Sequence, residues 1–412
     1  RATADADGTA TFTVTNPLEV THHYRAVVDQ GAGTETYTNI VAHAPPRTTV
    51  DSGLATIYVD TDEGEDIASR EDSWQGTFAM DGPAGSRCAT VSPVIMKIAG
   101  RGNSSWDLPK KPYKFALDKA LDLCGMGSSK KWNLIANYED GTLLRNSLAM
   151  TMGTMLTGLE WSPKSTPVDL YVNGDYQGSY TLMDRVTAAG NRIDIDQLRD
   201  NATGLNDVAP NVTGGYLLEW DNRRTSDHNV CVGGSAVVGK AVDGTCSGSG
   251  WVGIKEPEDE PDGTGITAAE ISYLDQYLES ADREIARGNW KPYIDAASAV
   301  DYIIAMEVTK NYGANMRSSV FMYKKRDADP ATPGDQGKLY FGPLWDFDTS
   351  FGNFDYGGPE ELIPTGWWVS EPNPTIKAVQ GTPTWFHHLM DDPEFAQLVK
   401  DRWNTLKTAG FK

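Results

Sequence analysis

The sequence predicts an α+β fold, in which strands dominate the first half of the chain and helices dominate the second. Short runs of strand character precede residue 221, and apolar residues recur at helical spacing after residue 267. Further runs of strand character return among the helices, at residues 319–324 and 337–344. Strands that thread back in this way predict a two-lobed domain with a cleft between the lobes.

The N-terminal residues are predicted to form a separate unit. Residues 9–15 and 24–28 alternate polar and apolar side chains, which indicates strands of an all-β module. The pattern is typical of an immunoglobulin- or fibronectin-type sandwich, for which about 45 residues are too few. We therefore expect residues 1–46 to hold the C-terminal part of such a module and a linker, and residues 47–412 to form the main domain.

Strands open the main domain. The predicted strands span residues 55–59, 94–98, 112–117, 168–172, 177–183 and 215–220. Strict alternation in the third strand predicts that Tyr113, Phe115 and Leu117 share one face. Asn173-Gly174, between the fourth and fifth strands, is the strongest short-range signal of a β-hairpin.

Helical periodicity accounts for most of the remaining chain. The predicted helices span residues 142–156, 269–287, 296–311 and 393–406. In the first helix, Leu143, Leu144, Leu148 and Met152 recur at helical spacing and are the expected core residues. Asp295 is the expected cap of the third helix.

The four cysteines indicate the compartment. Cys231 and Cys246 bracket a Gly-rich stretch, which predicts a loop closed by a disulfide, and Cys88 and Cys124 would then pair by elimination. No Cys-x-x-Cys pair exists, so a zinc site is not indicated. Two disulfides would imply an oxidising compartment, and hence a secreted or cell-surface protein. Four buried free thiols are the alternative.

The charge of the chain excludes two classes of partner. There are 57 acidic and 36 basic residues, which give a net charge of −21. Nucleic acid and anionic membranes are therefore disfavoured as primary partners, although the charge is equally explained by solubility. The sequence also contains no run of 18 apolar residues, so it predicts no membrane span.

Asp346 and Asp348 form the first candidate site. They directly follow a predicted strand, and an extended backbone would place both carboxylates on one face. Trp345 and Phe347 would then point into the core. Two such carboxylates repel each other unless a cation lies between them, and Mg²⁺ binds in this way while leaving room for phosphates. A solvated pair of loop acids is the alternative.

A basic cluster forms the second candidate site. Arg101 precedes Gly102-Asn-Ser-Ser105, a tight turn whose backbone N–H groups would suit a phosphate, and Lys111 and Lys114 follow. In a chain of net charge −21, such a cluster indicates an anion site. The alternative is a basic hairpin tip that pairs with surface acids.

Glu307 and Asn311 form the third candidate site. They lie four residues apart near the end of a predicted helix, and therefore on one helical face. Both side chains are acceptable ligands for a hard cation, and a solvated helix end is the alternative. The sequence lacks the histidine spacing of zinc proteins, the Gly-x-Ser-x-Gly elbow of esterases and the phosphate-binding P-loop motif.

Several segments together resemble the CotH kinase family of spore-coat and bacterial surface proteins. They are RGNSSW at 101–106, PKKPYK at 109–114, WNLIANYED at 132–140, LLRN at 143–146, YVNGDYQG at 171–178, GGYLLE at 214–219, EVTKN at 307–311 and GPLWDFD at 342–348. Each segment is a weak signal alone, but their order makes the resemblance specific. It covers roughly residues 52–410.

The resemblance implies a reduced, two-lobed, atypical protein-kinase-like fold. It also implies ATP with Mg²⁺ or Mn²⁺ as cofactors, and phosphate transfer to Ser or Thr of a secreted or surface protein. The implied catalytic and metal-binding residues are Asp346, Asp348 and Asn311, with Glu307 beside the metal. The implied nucleotide contacts are Lys111 or Lys114, with Arg101 and Arg145 as supporting anion contacts.

Position 313 departs from the pattern of the family. Many relatives carry Asp two residues after the Asn of the EVTKN segment, where this chain has Gly313. Glycine cannot accept a proton from a hydroxyl group, although metal and nucleotide binding could persist without that step. This leaves open a second function, a catalytically weak surface or adhesion module that binds a glycan, cell wall or protein. Trp367 and Trp368 are its candidate stacking residues.

Overall fold

The computed structural model describes most of the main domain. The described residues are 52–196, 204–232, 250–258, 265–311, 313, 316–327, 337–353, 365–369 and 384–411, together with the backbone of four short strands near the N-terminus. Those strands are β1 (His22–Tyr24), β2 (Val27–Asp29), β3 (Glu35–Tyr37) and β4 (Val41–His43). β1 pairs with β4 and β2 with β3, both antiparallel. The predicted run at 9–15 lies outside the described residues, and the two-unit division at residues 46 and 47 stays a prediction.

The first lobe is a closed sheet of seven strands. Its elements are β5 (Ala55–Thr61), β6 (Trp74–Asp81), β7 (Val91–Gly100), α1 (Ser104–Asp107), β8 (Tyr113–Asp122), β9 (Ser128–Ile135), α2 (Arg145–Met155), β10 (Ser165–Val172) and β11 (Asp175–Asp184). The strands close in the order β10-β11-β9-β8-β7-β6-β5, and β5 runs parallel to β10. The hairpin predicted at Asn173-Gly174 is confirmed, and both residues have the positive φ that its turn requires.

Aromatic side chains fill this barrel. Tyr113, Phe115 and Leu117 all face the interior, as their alternation predicts, and the ring of Phe78 stacks on Phe115 at 5.2 Å. A disulfide between Cys88 and Cys124 joins the β6–β7 and β8–β9 connections, so this predicted pairing is confirmed. Cys231 is also disulfide-bonded, and its predicted partner lies outside the described residues.

The second lobe is a five-stranded sheet covered by helices. Its elements are β12 (Tyr216–Asp221), β13 (Asn229–Val232), β14 (Gly250–Glu256), α3 (Ala268–Ile285), α4 (Ala296–Thr309), β15 (Val320–Lys324), β16 (Leu339–Phe341), α5 (Trp385–Asp391) and α6 (Pro393–Thr408). Short 3₁₀ helices lie at Asp62–Gly64, Leu205–Asp207 and Asn211–Thr213. The sheet order is β13-β14-β12-β15-β16. The α+β class is therefore confirmed.

Helix α4 forms the centre of the second core. Eleven of its 14 residues are buried, because its apolar side chains surround the whole helix rather than one stripe. Tyr302 of α4 packs on Phe341 of β16 at 5.7 Å, and Phe341 packs on Phe386 of α5 at 5.0 Å. Asp295 caps the helix by accepting the Ser298 N–H at 2.8 Å, as predicted. Within the described part of the chain, no helix is both long and apolar enough to cross a membrane.

Two predicted elements differ from the observed ones. Helix α2 begins at Arg145 rather than Thr142, because Leu143 has a positive φ and ends the preceding turn. Consequently Leu144 and Leu148 are 61% and 53% exposed, so their prediction as core residues was wrong. Strand β16 is shorter than predicted, because Pro343 has no N–H to continue the ladder.

A buried carboxylate caps helix α3. Glu270 accepts the backbone N–H of Thr267 at 2.9 Å, and the Thr267 hydroxyl accepts the Glu270 N–H at 3.2 Å. Burial raises the pKa of Glu270 to about 7; the Thr267 N–H opposes this shift, and the charge of Asp207 adds to it. The folded protein therefore holds a proton that the unfolded chain releases near pH 4.5. The stability associated with that proton is lost as pH rises through 7.

Glu270→Gln should therefore stabilise the protein only at high pH. The neutral amide keeps an acceptor for Thr267 and avoids the buried charge, so we expect a gain of about 1–3 kcal/mol above pH 8 and almost none below pH 5. Thermal unfolding at both pH values measures the difference. Glu65→Gln, at an exposed site, is the matched control and should leave the free energy of unfolding unchanged at both pH values. A gain that is equal at both pH values would contradict the assignment.

Candidate functional site

A cleft lies between the barrel and the five-stranded sheet. Its cavity measures about 350 Å³, which is within the range of small-molecule sites. The barrel contributes the loop after β7 and the segment after β9, and the sheet lobe contributes the ends of three strands. The wall residues lie mainly within 101–105, 135–139, 219–223, 317–319 and 345–349. The cleft therefore collects residues from five separate parts of the chain.

Asp346 and Asp348 both line this cleft, but not through an extended backbone. Asp346 has φ +66°, so the prediction that Trp345 and Phe347 would share the opposite face was wrong. Phe347 is buried as expected, whereas Trp345 is half-buried and lines the cleft. With this left-handed turn, Trp345 packs at the edge of the core while it lines the cleft, and both carboxylates lie in one wall.

The two carboxylates interact closely. The Ser319 hydroxyl donates to Asp346 Oδ2 at 2.8 Å, and the Thr349 N–H donates to Asp348 Oδ1 at 2.9 Å. Burial, followed by the charges of Asp346 and Glu139, raises the pKa of Asp348 well above its usual range. The pair thus carries a repulsion that a bound cation would relieve.

A chain of buried side-chain hydrogen bonds fixes the backbone of this pair. Asn137 donates to Thr181 Oγ1 at 2.8 Å, and Asn146 donates to Asn137 Oδ1 at 3.1 Å. The oxygen of Asn146 then accepts the backbone N–H of Phe347 at 2.8 Å. The network connects strand β11, helix α2 and the loop that carries Asp346 and Asp348, which we call the aspartate loop. No role for Asn137 or Asn146 was predicted from the sequence, although both lie in segments that resemble the family.

Asn311 and Arg145 donate hydrogen bonds to backbone carbonyl groups of the same loop. Asn311 donates to the Asp346 carbonyl at 2.9 Å, and its oxygen accepts the Gly313 N–H at 2.6 Å. Arg145 donates to the Ser350 carbonyl at 3.1 Å and forms an ion pair with Asp140. Neither residue lies in the wall of the cleft, so the structure places both as supports of the loop backbone.

Glu307 lies apart from the aspartate pair. Its carboxylate bonds to Lys310 at 2.7 Å and accepts the Val369 N–H at 2.7 Å. It is absent from the wall of the cleft. The structure therefore brings Asp346 and Asp348 together and does not bring Glu307 to them.

Arg101 is the cation that faces the pair. Its guanidinium lies over the Trp345 ring, 5.4 Å from the centroid, and has no hydrogen-bond or ion-pair partner among the described residues. Burial lowers the pKa of Arg101, while the charges of Asp346 and Glu219 oppose that shift. The adjacent Gly102 has φ +83°, where a side chain would be strained. This half-buried cation is available to an anionic ligand.

The predicted lysines occupy different environments. Lys111 donates to the Trp106 carbonyl at 2.7 Å and is absent from the wall of the cleft. Lys114 points out of the barrel and has no hydrogen bond or ion pair within the part of the chain that the structure describes. Its pKa is lowered by burial and then by the charges of Arg185 and Arg101. Lys110, which the sequence did not single out, lines the cleft instead.

Three further carboxylates in the cleft, those of Glu139, Glu219 and Asp221, were not predicted from the sequence. Glu219 forms an ion pair with Lys255 at 3.2 Å. Asp221 accepts the backbone N–H groups of Ser319 at 3.2 Å and Arg223 at 3.1 Å. Burial, then the charge of Glu219, raises the pKa of Asp221 to about 6. The GGYLLE segment includes Glu219 and ends two residues before Asp221, and it was the available signal.

The acidic groups do not form a closed metal cage. Across the described ranges, no three His, Cys, Asp or Glu side chains are arranged to hold a metal ion. An open pair of carboxylates is nevertheless the ligand set by which proteins commonly hold Mg²⁺ together with phosphate oxygens. The pair and the unpartnered Arg101 therefore suit a cation bound with a phosphorylated ligand.

A comparison with known protein families identifies the family of this chain. A family model described as CotH kinase protein matches residues 98–412. The chain belongs to this family. The match begins near the end of β7 and includes every segment of the cleft wall, although it is shorter than the 52–410 suggested by the motifs. No curated protein matches the chain.

Asn146→Ala should weaken both the fold and the aspartate site. It leaves the Phe347 N–H and the Asn137 amide without their buried partner, so we expect a loss of about 1–3 kcal/mol in the free energy of unfolding. Mn²⁺ affinity, measured by calorimetry below the melting temperature, should fall at the same time. Leu148→Ala, on the exposed face of the same helix, is the control and should change neither. Unchanged Mn²⁺ binding in Asn146→Ala would show that the network does not position the pair.

Proposed function

We propose that this chain is an atypical protein-kinase-like phosphotransferase. It binds ATP with Mg²⁺ or Mn²⁺ in the cleft and transfers phosphate to Ser or Thr of secreted or surface proteins. The observation that supports this most directly is the Asp346–Asp348 pair, which shares a cleft with the unpartnered guanidinium of Arg101. Membership of the CotH kinase protein family supports the same reaction class.

The chemistry of the cleft fits a divalent cation and a triphosphate. Asp346 and Asp348 would hold the cation, which would neutralise charge on the phosphates when bound. Arg101 would contact a phosphate through its planar guanidinium, and its partial burial strengthens that contact. Lys114 would provide a second cation from beside the cleft, because it is absent from the wall but its ammonium group lacks a partner among the described side chains.

In this proposal, the remaining predicted residues do not contact the nucleotide or the metal ion. Asn311 and Arg145 hold the backbone of the aspartate loop through carbonyl groups. Lys111 and Glu307 are engaged by neighbouring groups of the protein. In this arrangement, their substitution would change the ligand site through the loops that they support.

The adhesion-module alternative has less support. Trp367 is 41% exposed, but Trp368 is buried and lies under the ammonium of Lys310 at 5.5 Å. One exposed indole is a small platform for a sugar or a peptide. Retention of the protein on a panel of glycans and cell-wall fractions, lost in Trp367→Ala, would favour this alternative.

A secreted or cell-surface location is part of the proposal. The Cys88–Cys124 disulfide is consistent with an oxidising compartment. An acidic chain with a nucleotide site also fits a role on protein substrates better than one on nucleic acid.

Nucleotide binding should depend on the pair and on Arg101. By calorimetry with ATP and Mn²⁺, Asp346→Asn should abolish measurable binding, because one of the two anionic ligands is lost. Arg101→Ala should weaken binding about tenfold to a hundredfold, the loss expected for a charge-assisted phosphate contact. Lys97→Ala removes an exposed cation from β7, the strand that Arg101 directly follows, and should leave binding intact. Equal affinity in all four proteins would place the nucleotide elsewhere.

Phosphate transfer should depend on Asp348. Labelling of Ser-rich proteins or of the chain itself with γ-labelled ATP and Mn²⁺ should fall at least about a hundredfold in Asp348→Ala, because transfer relies on electrostatic stabilisation by the bound cation. Mass spectrometry of the products should locate the phosphate on Ser or Thr. If wild type and Asp348→Ala label equally poorly, the phosphotransferase assignment fails.

A further inference from the structure

Three strand ends of the second lobe meet at the cleft. β12 pairs with the antiparallel β15, and β15 pairs with β16, so the end of β12 and the start of β15 share one edge of the sheet with the segment after β16. Asp221 ends β12, Ser319 precedes β15 and Asp346 follows β16. Adjacent strands lie about 4.8 Å apart, so these residues form a row with Ser319 in the middle.

Ser319 connects the two carboxylates of this row. Its backbone N–H donates to Asp221 Oδ2 at 3.2 Å, and its hydroxyl donates to Asp346 Oδ2 at 2.8 Å. Asp221 is therefore oriented by the same residue that contacts the aspartate pair. Each of its oxygens accepts one backbone N–H, from Ser319 or from Arg223, and retains a lone pair for a further donor.

The other carboxylates of the cleft have other partners or roles, and Glu139 is both less buried than Asp221 and engaged by another group of the protein. Glu219 forms an ion pair with Lys255 at 3.2 Å, while Asp221 is 3.9 Å from the nearest guanidinium nitrogen, in Arg223. Asp346 and Asp348 form the proposed cation site. Position 313 is glycine and supplies no side chain. Asp221 thus remains as a cleft carboxylate that is oriented, nearly buried and free of a close ion pair.

We propose that Asp221 is a catalytic residue that accepts the proton of the attacking Ser or Thr hydroxyl group. The inference rests on the proposed phosphotransferase function and assigns a residue within it. The hydroxyl oxygen forms a bond to the γ-phosphorus, and the bond from that phosphorus to the β–γ bridging oxygen breaks, which releases ADP. The hydroxyl proton passes to a carboxylate oxygen of Asp221 and then to solvent. Burial and the charge of Glu219, which raise the pKa of Asp221 to about 6, suit an acceptor that is ionised near neutral pH.

Asp221→Asn is the direct test. The acceptor is the first Ser or Thr peptide, from a mixed peptide library, that the wild-type chain labels with γ-labelled ATP and Mn²⁺. We expect kcat to fall at least about a hundredfold, the usual contribution of a general base, while the Kd for ATP with Mn²⁺ stays within twofold. Asp227→Asn makes the same chemical change at an exposed position in the turn after β12 and should keep wild-type rates.

The acidity of the acceptor hydroxyl group distinguishes a role of Asp221 in proton transfer from a purely structural role. A peptide whose accepting threonine is replaced by trifluorothreonine has a more acidic hydroxyl, so it depends less on a base. The defect of Asp221→Asn should shrink at least about tenfold on this acceptor. If Asp221→Asn does not fold, Asp221→Glu, which displaces the carboxylate, is compared on the two acceptors in the same way.

The outcomes distinguish this inference from the function on which it rests. Wild-type rates in Asp221→Asn, or an equal defect on both acceptors, would overturn the role of Asp221 and leave the phosphotransferase assignment intact. A wild-type chain that binds ATP and Mn²⁺ but transfers phosphate to no peptide would overturn the assignment, and the inference with it. Slow transfer with unchanged nucleotide affinity and a smaller defect on the acidic acceptor would support both.

Discussion

The position of the aspartate loop depends on one chain of buried hydrogen bonds, from Thr181 through Asn137 and Asn146 to the backbone of Phe347. It joins the barrel to the loop that follows the last strand of the sheet. Such bonds are strong in a low-dielectric interior, and leaving any partner unpaired there costs about 1–3 kcal/mol. Asn137 lies two residues after β9, adopts a positive φ and is buried, and its amide forms the middle of this chain. The two lobes are therefore connected at the site itself.

This connection explains how a strongly acidic protein can keep an unpaired guanidinium in its cleft. Five carboxylates line the cleft or its floor, yet Arg101 remains half-buried beside them without forming an ion pair among the described residues. The rigid backbone holds the aspartate pair where neither carboxylate neutralises the guanidinium. Burial, followed by the charge of Asp346, raises the pKa of Asp348. In the proposed function, a bound cation would relieve the repulsion between the two carboxylates and would in turn favour an anionic ligand.

Polar side chains around the cleft divide into those that face it and those that hold its loops. Asn311 and Arg145 have the chemistry of ligand contacts, but their donors are used on the carbonyl groups of Asp346 and Ser350. Asp221 shows the converse case, since the last residue of a buried strand, for which no motif predicted a role, lines the cleft directly. A motif identifies residues that belong to a site, whereas only geometry separates the residues that touch a ligand from their supports.

The sequence by itself determined the α+β class, the Asn173-Gly174 hairpin, the inward face of β8 and the family, and it singled out Asp346 and Asp348 as candidate site residues. These follow from local periodicity, turn chemistry and the order of short motifs along the chain. The tertiary structure alone decided that the barrel closes through a parallel β5–β10 pair, that Leu148 is exposed and that Trp345 lines the cleft. It alone also placed Asp221 in a row with Ser319 and Asp346. The reason is that these features depend on a left-handed turn at Asp346 and on pairing between strands about a hundred residues apart, which local patterns do not encode.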